Sequence, residues 1–220
     1  MSTDFYVKLV LFALGAFLIG GIPFGFIIGK LNGKDIRKEG SCNIGATNVT
    51  RVVGKWWGKL CFLLDFLKGA LPVTAALLCS KGEDTLGILP AVTAFLVVAG
   101  HIWPVYLKFK GGKGVATAAG AFLPLSWAAL VTALIVWVLV FLTTRYVSLA
   151  SISAAVIFAI TAVLFYILFP SIALIPGCPA GRVCLIPIIL LSVLTIVKHR
   201  SNIVRLMNGT ENRFEKGKKA

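Results

Sequence analysis

Three short polar stretches in this sequence hold residue types suited to phosphate and to a hydroxyl proton. The first is Gly40-Ser-Cys-Asn-Ile-Gly-Ala-Thr-Asn-Val-Thr-Arg51. Its small residues let backbone N–H groups come close to a ligand. Ser41, Asn43, Thr47 and Asn48 add short neutral donors and acceptors, and Arg51 supplies a planar fork that fits phosphate. Without a ligand, the same stretch reads as a polar loop with a helix cap at Thr47 or Asn48. The second is Gly100-His-Ile-Trp-Pro-Val-Tyr-Leu-Lys-Phe-Lys-Gly-Gly-Lys-Gly-Val-Ala-Thr117. Here Lys108, Lys110 and Lys113 surround Gly111 and Gly112, and the glycine pair opens a helical pattern. A glycine-rich turn with lysines at a helix start is an anion site. It is not a Walker A loop, since GxxxxGK[ST] is absent. The plainer reading is lysines flanking a membrane span. His101 reads as a helix-end hydrogen-bonder.

The third stretch is Lys198-His-Arg-Ser-Asn-Ile-Val-Arg-Leu-Met-Asn-Gly-Thr-Glu211. His199 and Asn202 are three apart, so on a helix they share a face. A basic juxtamembrane helix on lipid headgroups is the plainer reading. Ser148, just after Arg145-Tyr146-Val147, is a smaller fourth polar point.

These stretches interrupt a very apolar chain. Its 220 residues are 58% hydrophobic and 14% charged, with a mean hydropathy of +0.94. Globular chains average roughly 25% charged residues. A disordered chain is excluded, and a soluble enzyme does not fit. Apolar runs place about seven helices near 5–29, 58–79, 86–106, 112–124, 126–144, 148–169 and 183–198; the first carries Lys8, and the second, the weakest, holds Lys59, Asp65 and Lys68. The fold expected is therefore an all-α integral membrane protein, one polytopic domain over 1–220. The fourth helix is short for a full crossing, so five or six crossings also fit. The first apolar run lacks a basic n-region and is too long for a cleavable signal, so it reads as a retained span.

Charge sets the orientation. With the N-terminus outside and the C-terminus in the cytoplasm, 19 of the 22 Lys and Arg fall inside or in the second span near that side. Lys8, Lys81 and Arg182 remain for the outside. The net charge of +14 thus reflects topology and anionic partners, not nucleic acid. Gly21, Gly25, Gly29 and Gly33 recur every fourth residue, as close helix packing requires. Five cysteines without a CxxC form neither a disulfide framework nor a zinc site. Cys178 and Cys184 flank an outside loop where a disulfide and two thiols both fit. Asn48-Val-Thr50 and Asn208-Gly-Thr210 match the glycosylation pattern by chance, since both fall inside.

All three polar stretches thus gather at the cytoplasmic face. A transporter would place its polar residues near the midplane, whereas the later spans are almost free of charge. That placement favours an enzyme working on an anionic headgroup at the lipid interface. An anion transporter and a non-catalytic headgroup binder remain the alternatives. A CDP-alcohol phosphotransferase is disfavoured, because its paired-Asp metal motif is missing.

The stretches 40–51, 100–117 and 198–211 together resemble the signatures of the bacterial acyl-phosphate:glycerol-3-phosphate acyltransferases, the PlsY family. The likeness covers essentially the whole chain in order, length and placement. Cys42 stands where the family usually has Gly, Ser201 where an acidic residue is common, and 171–182 is longer than in many members. The resemblance implies acyl transfer from acyl phosphate to the sn-1 hydroxyl of glycerol 3-phosphate at the bacterial inner membrane, giving lysophosphatidic acid and phosphate. It implies no cofactor, no metal and no CoA, with the two substrates and membrane lipid as partners and a monomer favoured. The HxxxxD pattern of soluble-domain acyltransferases is absent, since Tyr106 and Val204 stand five after the two histidines. On this reading Ser41, Asn43, His199 and Asn202 are catalytic. Thr47, Asn48, Arg51, Lys110, Gly111, Gly112, Lys113 and Ser148 bind substrate. The hydroxyl proton goes either to His199 or to the substrate's own phosphate, whose second pKa is about 6; the latter is favoured.

Overall fold

The computed structural model describes residues 2–80, 84, 86–168 and 182–214. Cys178, on which the disulfide reading depends, lies outside them, as does most of the longer stretch at 171–182. Regular structure among the described residues is helical throughout: α1 (Thr3–Gly21), α2 (Phe24–Leu31), α3 (Ala46–Val52), α4 (Lys55–Cys79), α5 (Ile88–Ile102), a 3₁₀ turn (Val105–Leu107), α6 (Val115–Phe122), α7 (Trp127–Thr144), α8 (Val147–Leu168), α9 (Arg182–Lys198) and α10 (Arg200–Met207). Helices close their own hydrogen bonds, which hydrocarbon demands of any lipid-exposed backbone.

Among the described residues, five helical segments are long and apolar enough to cross a membrane, with α9 and α10 as a sixth if their 50° bend is counted within one span. The expected helix 112–124 is only the eight-residue α6. At 1.5 Å per residue it covers about 12 Å, well short of a bilayer core of about 30 Å. The expected span 5–29 holds as one candidate span, Thr3–Leu31, with an interruption in its helix. Pro23 has no N–H and cannot continue the ladder, so α1 ends at Gly21 and α2 starts at Phe24.

Small residues let the helices touch. A Cβ on Gly20 would lie 2.0 Å from Val97 O, and one on Gly100 would lie 2.1 Å from Phe17 O, so α1 and α5 meet backbone to backbone. Gly69 and Gly120 do the same for α4 and α6, meeting Thr117 O and Phe66 O at 2.1 and 2.0 Å. Of the four-residue glycine repeat, Gly25 packs on Ile44 O and Gly29 on Ile36, while Gly21 faces the Tyr106 ring. Gly33 departs from the expectation: it has open space around it and φ +71°, so it serves a turn.

Three apolar clusters follow among the described residues, the smallest around Phe5, Ala76 and Leu89. The largest gathers Val73, Val97, Ile102, Phe122, Leu125, Phe158 and Leu191 within the bundle. The second, around Ile28, Ile36, Ile44, Val49 and Cys61, anchors the long connection 32–54 on α2 and α4. Outward faces carry Leu11, Leu14, Leu134, Leu142, Leu190 and Val193, the side chains lipid would cover.

Candidate active site

The connection 32–54 is held in shape by Asn48, which is buried. Its Nδ2 donates to Ile36 O (2.8 Å), Asn43 O (2.9 Å) and Glu39 O (3.1 Å), and its Oδ1 accepts from Ser41 N (2.8 Å). Both amide hydrogens are therefore spent on the loop, and Asn48 positions its neighbours. The α3 cap expected from Thr47 or Asn48 is instead Gly45, without a side-chain cap. Asn43 Oδ1 accepts from Gly45 N at 2.9 Å, which tightens the turn into α3. Gly40 at φ +61° leaves room for Asn48, since a Cβ there would lie 2.3 Å from Oδ1. Cys42, the departure from glycine, also has a positive φ, +55°.

The glycine-lysine turn works differently from the sequence expectation. Gly111 N donates to Ile102 O (3.2 Å) and Gly112 N to His101 O (3.1 Å), so these N–H groups cap α5. The glycines are needed for closeness: a Cβ on Gly111 would lie 2.2 Å from His101 O, and one on Gly112 would lie 2.1 Å from His101 Nε2. The donors left for an anion belong to the start of α6, where Gly114, Val115 and Ala116 line the cavity described below. His101 is buried at the end of α5, but the hydrogen bond expected of it is not made at Nδ1, which lies 3.6 Å from Asp65 Oδ1. Asp65 pairs with Lys68 at 2.7 Å, and Lys68 Nζ donates to Ile22 O (2.8 Å) at the break between α1 and α2. A buried charge pair three apart on one helix thus joins the second polar stretch to the first span.

The third stretch supplies the densest polar network. His199 is at the α9–α10 bend, just past the last residue of α9, and is buried. Its Nδ1–H donates to Thr195 O at 2.7 Å, which leaves Nε2 with the lone pair on a neutral ring. Burial pushes His199 down to about 4, and the Lys113 charge adds to the shift. Lys113 Nζ donates to Asn202 Oδ1. Asn202 Nδ2 donates in turn to Glu211 Oε1 at 2.7 Å, which also accepts from Ser148 Oγ at 2.9 Å. Arg205 Nε donates to Glu211 Oε2 at 2.7 Å. Burial alone would raise the Glu211 carboxyl, but these bonds from Asn202, Arg205 and Ser148 outweigh it and hold it below its ordinary range. Burial pushes Lys113 down to about 8, against the pull of Glu211.

These pieces surround one cavity of about 350 Å³. Ser41, Asn43, Thr47, Asn48, Arg51, Gly111, Gly112, Lys113, Ser148, His199 and Asn202 all line it. Lys110 does not, and its side chain is exposed. Sequence reasoning did not single out Asp65, Arg205 or Glu211, which line the cavity too, and it took His101 as merely structural. Asp65 had a signal, a carboxylate three before a lysine inside an apolar span. Beside this cavity is an apolar one of about 280 Å³ between α6, α7, α8 and α9, with Phe62, Val115, Trp137 and Ser151 shared by both linings.

A helical bundle with several apolar spans and a polar cavity at the helix ends defines a multi-pass membrane protein. Comparison identifies which kind. The glycerol-3-phosphate acyltransferase family matches residues 10–209, and the chain belongs to that family. It is 44% identical over 208 residues to the glycerol-3-phosphate acyltransferase of Aquifex aeolicus, covering 94% of this chain and all of that one. It also resembles the crystal structure of PlsY, an integral membrane glycerol 3-phosphate acyltransferase, in the glycerol 3-phosphate form. That match has TM-score 0.82 and 40% identity over 94% of this chain and 96% of the other. The lysophosphatidic acid form matches with TM-score 0.79 and 39% identity, over 94% and 95% of the two chains.

Proposed function

We propose that this chain transfers an acyl group from acyl phosphate to the sn-1 hydroxyl of glycerol 3-phosphate, giving 1-acyl-glycerol 3-phosphate and inorganic phosphate. The observation that carries the reading is the meeting of three separate polar stretches on one cavity beside an apolar one. The names of the relatives and the ligand forms of PlsY support it.

The chemistry assigns roles. Arg51, Lys113 and the first N–H groups of α6 hold the two phosphates, whose mutual repulsion needs compensating charge. The glycerol hydroxyl oxygen attacks the carbonyl carbon and forms the ester bond. The oxyanion that develops is met by Ser41 and Asn43. The bond from carbonyl carbon to the phosphate oxygen then breaks, and phosphate leaves. The donor is a mixed anhydride already activated, so the reaction calls for neither CoA nor a metal. The hydroxyl proton goes to the phosphate of glycerol 3-phosphate. His199 at about 4 is a weaker base than a phosphate monoester of second pKa about 6. Its Nε2 lone pair accepts a hydrogen bond from the glycerol and orients it, with Asn202 beside it. The acyl chain occupies the apolar cavity.

The same reading places the protein in the bacterial inner membrane as a monomer, N-terminus out, with the cavity on the cytoplasmic side where the basic residues gather. This is the first acylation of phospholipid synthesis. The test is phosphate release by the purified protein from palmitoyl phosphate. Release that requires glycerol 3-phosphate is expected. Release that ignores it, or none from a folded lipid-supplied sample, refutes the reading.

A further inference from the structure

Arg51 is held from behind by a strap of chain that starts in the end of the third polar stretch and runs on to Phe214, past all three. The chain leaves α10, turns at Gly209 (φ +69°) and passes under the α7–α8 connection. Glu211 anchors its start through Ser148 and Asn202. Further on, Arg213 Nε donates to Thr144 O at 3.1 Å and Phe214 N to Arg145 O at 3.0 Å. The Phe214 ring meets Phe141 edge-on, with centroids 5.9 Å apart. On this support the Arg51 guanidinium lies 4.8 Å from the Phe214 ring centroid, and its Nη2 donates to Asn212 O at 3.2 Å. Arg51 also lines the polar cavity. The family match ends at residue 209, so Asn212 and Phe214 lie past it.

We infer that Phe214 is a positioning residue: its ring and the Asn212 carbonyl preorganise the Arg51 guanidinium for a phosphate substrate. The inference rests on the acyl-transfer reading for what Arg51 binds. A free arginine side chain gives up many rotamers each time it clamps a phosphate. One already stacked on a ring and bonded to a carbonyl has given up most of them beforehand. The contact to Asn212 uses one of five guanidinium N–H donors, which leaves enough for a two-pronged grip on phosphate. The ring face also favours the cation in this half-buried place.

The test compares Phe214→Leu, Phe214→Tyr and Arg51→Ala, alone and with Phe214→Leu. Leucine keeps an apolar contact to Phe141 and removes the aromatic face. Phe214→Leu is expected to raise about fivefold the KM of whichever phosphate substrate Arg51→Ala weakens, a factor typical of a lost cation–π contact. Its kcat stays within about twofold, Phe214→Tyr restores the wild-type KM, and Phe214→Leu adds nothing once Arg51 is alanine. Equal KM values for Phe214→Leu and wild type overturn the inference while leaving the function standing. So does a Phe214→Leu loss that is the same with and without Arg51, because that is a structural role. An Arg51→Ala protein with both KM values unchanged overturns the inference together with the phosphate-binding role of Arg51.

Discussion

Lys113 should make acceptor binding depend on pH in a range where an ordinary lysine would not. Burial pushes its ammonium down to about 8 from 10.5 in the empty site. Below that pH it is a cation, and above it a neutral amine. A glycerol 3-phosphate dianion bound against it favours the ammonium, so in the complex its pKa moves back up. The sign follows: as pH rises from 7 to 9, protonating Lys113 becomes a cost of binding, and affinity falls. From about 8 in the free protein, binding that must restore the proton weakens by at most tenfold per pH unit above that value, so the apparent Kd rises on the order of tenfold between pH 7 and 9. The substrate phosphate adds nothing to this slope, since its second pKa of about 6 leaves it a dianion throughout. The assay is the KM for glycerol 3-phosphate at saturating acyl phosphate from pH 7 to 9, corrected for spontaneous hydrolysis of the donor. Lys113→Arg keeps its charge throughout and should give a flat KM, at a poorer absolute value because the guanidinium does not reproduce the bond to Asn202. A flat wild-type profile, or the same rise in Lys113→Arg, refutes the argument.

Glu211→Gln removes the carboxylate that holds up the Lys113 charge, so the KM rise should begin below pH 8, read from the same profile; an unmoved profile would show that the two groups do not couple. Cys42→Gly relieves a side chain at φ +55° and should stabilise the protein by about 1 kcal/mol with KM unchanged, seen as a higher melting temperature in detergent; a lower one contradicts the strain. Ala154→Phe narrows the apolar cavity, and two excluded methylenes at about 0.8 kcal/mol each would cost palmitoyl phosphate more than tenfold in kcat/KM against octanoyl phosphate. An unchanged ratio would place the acyl chain elsewhere.

The spans and three polar stretches were legible because hydropathy and short motifs are local. The long-range partners were not. Asp65 and Lys68 announced themselves as charges in an apolar helix, but nothing local ties Lys68 to Ile22 O or Asp65 to His101. Asn48 looked like a ligand group, and its use as a loop staple depends on carbonyls up to twelve residues away. The Gly111-Gly112 pair looked like a phosphate cradle because glycine is ambiguous. It frees N–H groups for ligands, and it equally permits contact with a neighbouring helix, which is its use against His101. Ser148 was a weak signal alone, and it acquires meaning through Glu211, 63 residues away. Pro23 was visible and its break was missed, because continuous hydropathy hides a gap in the hydrogen-bond ladder.

The central claim is the identity of donor and product. The most direct measurement gives the purified protein glycerol 3-phosphate with either palmitoyl phosphate or palmitoyl-CoA and identifies the acylated product by mass spectrometry. The expected result is 1-palmitoyl-glycerol 3-phosphate from the acyl phosphate alone, in equal amount to the phosphate released. Product from palmitoyl-CoA and none from palmitoyl phosphate would contradict it.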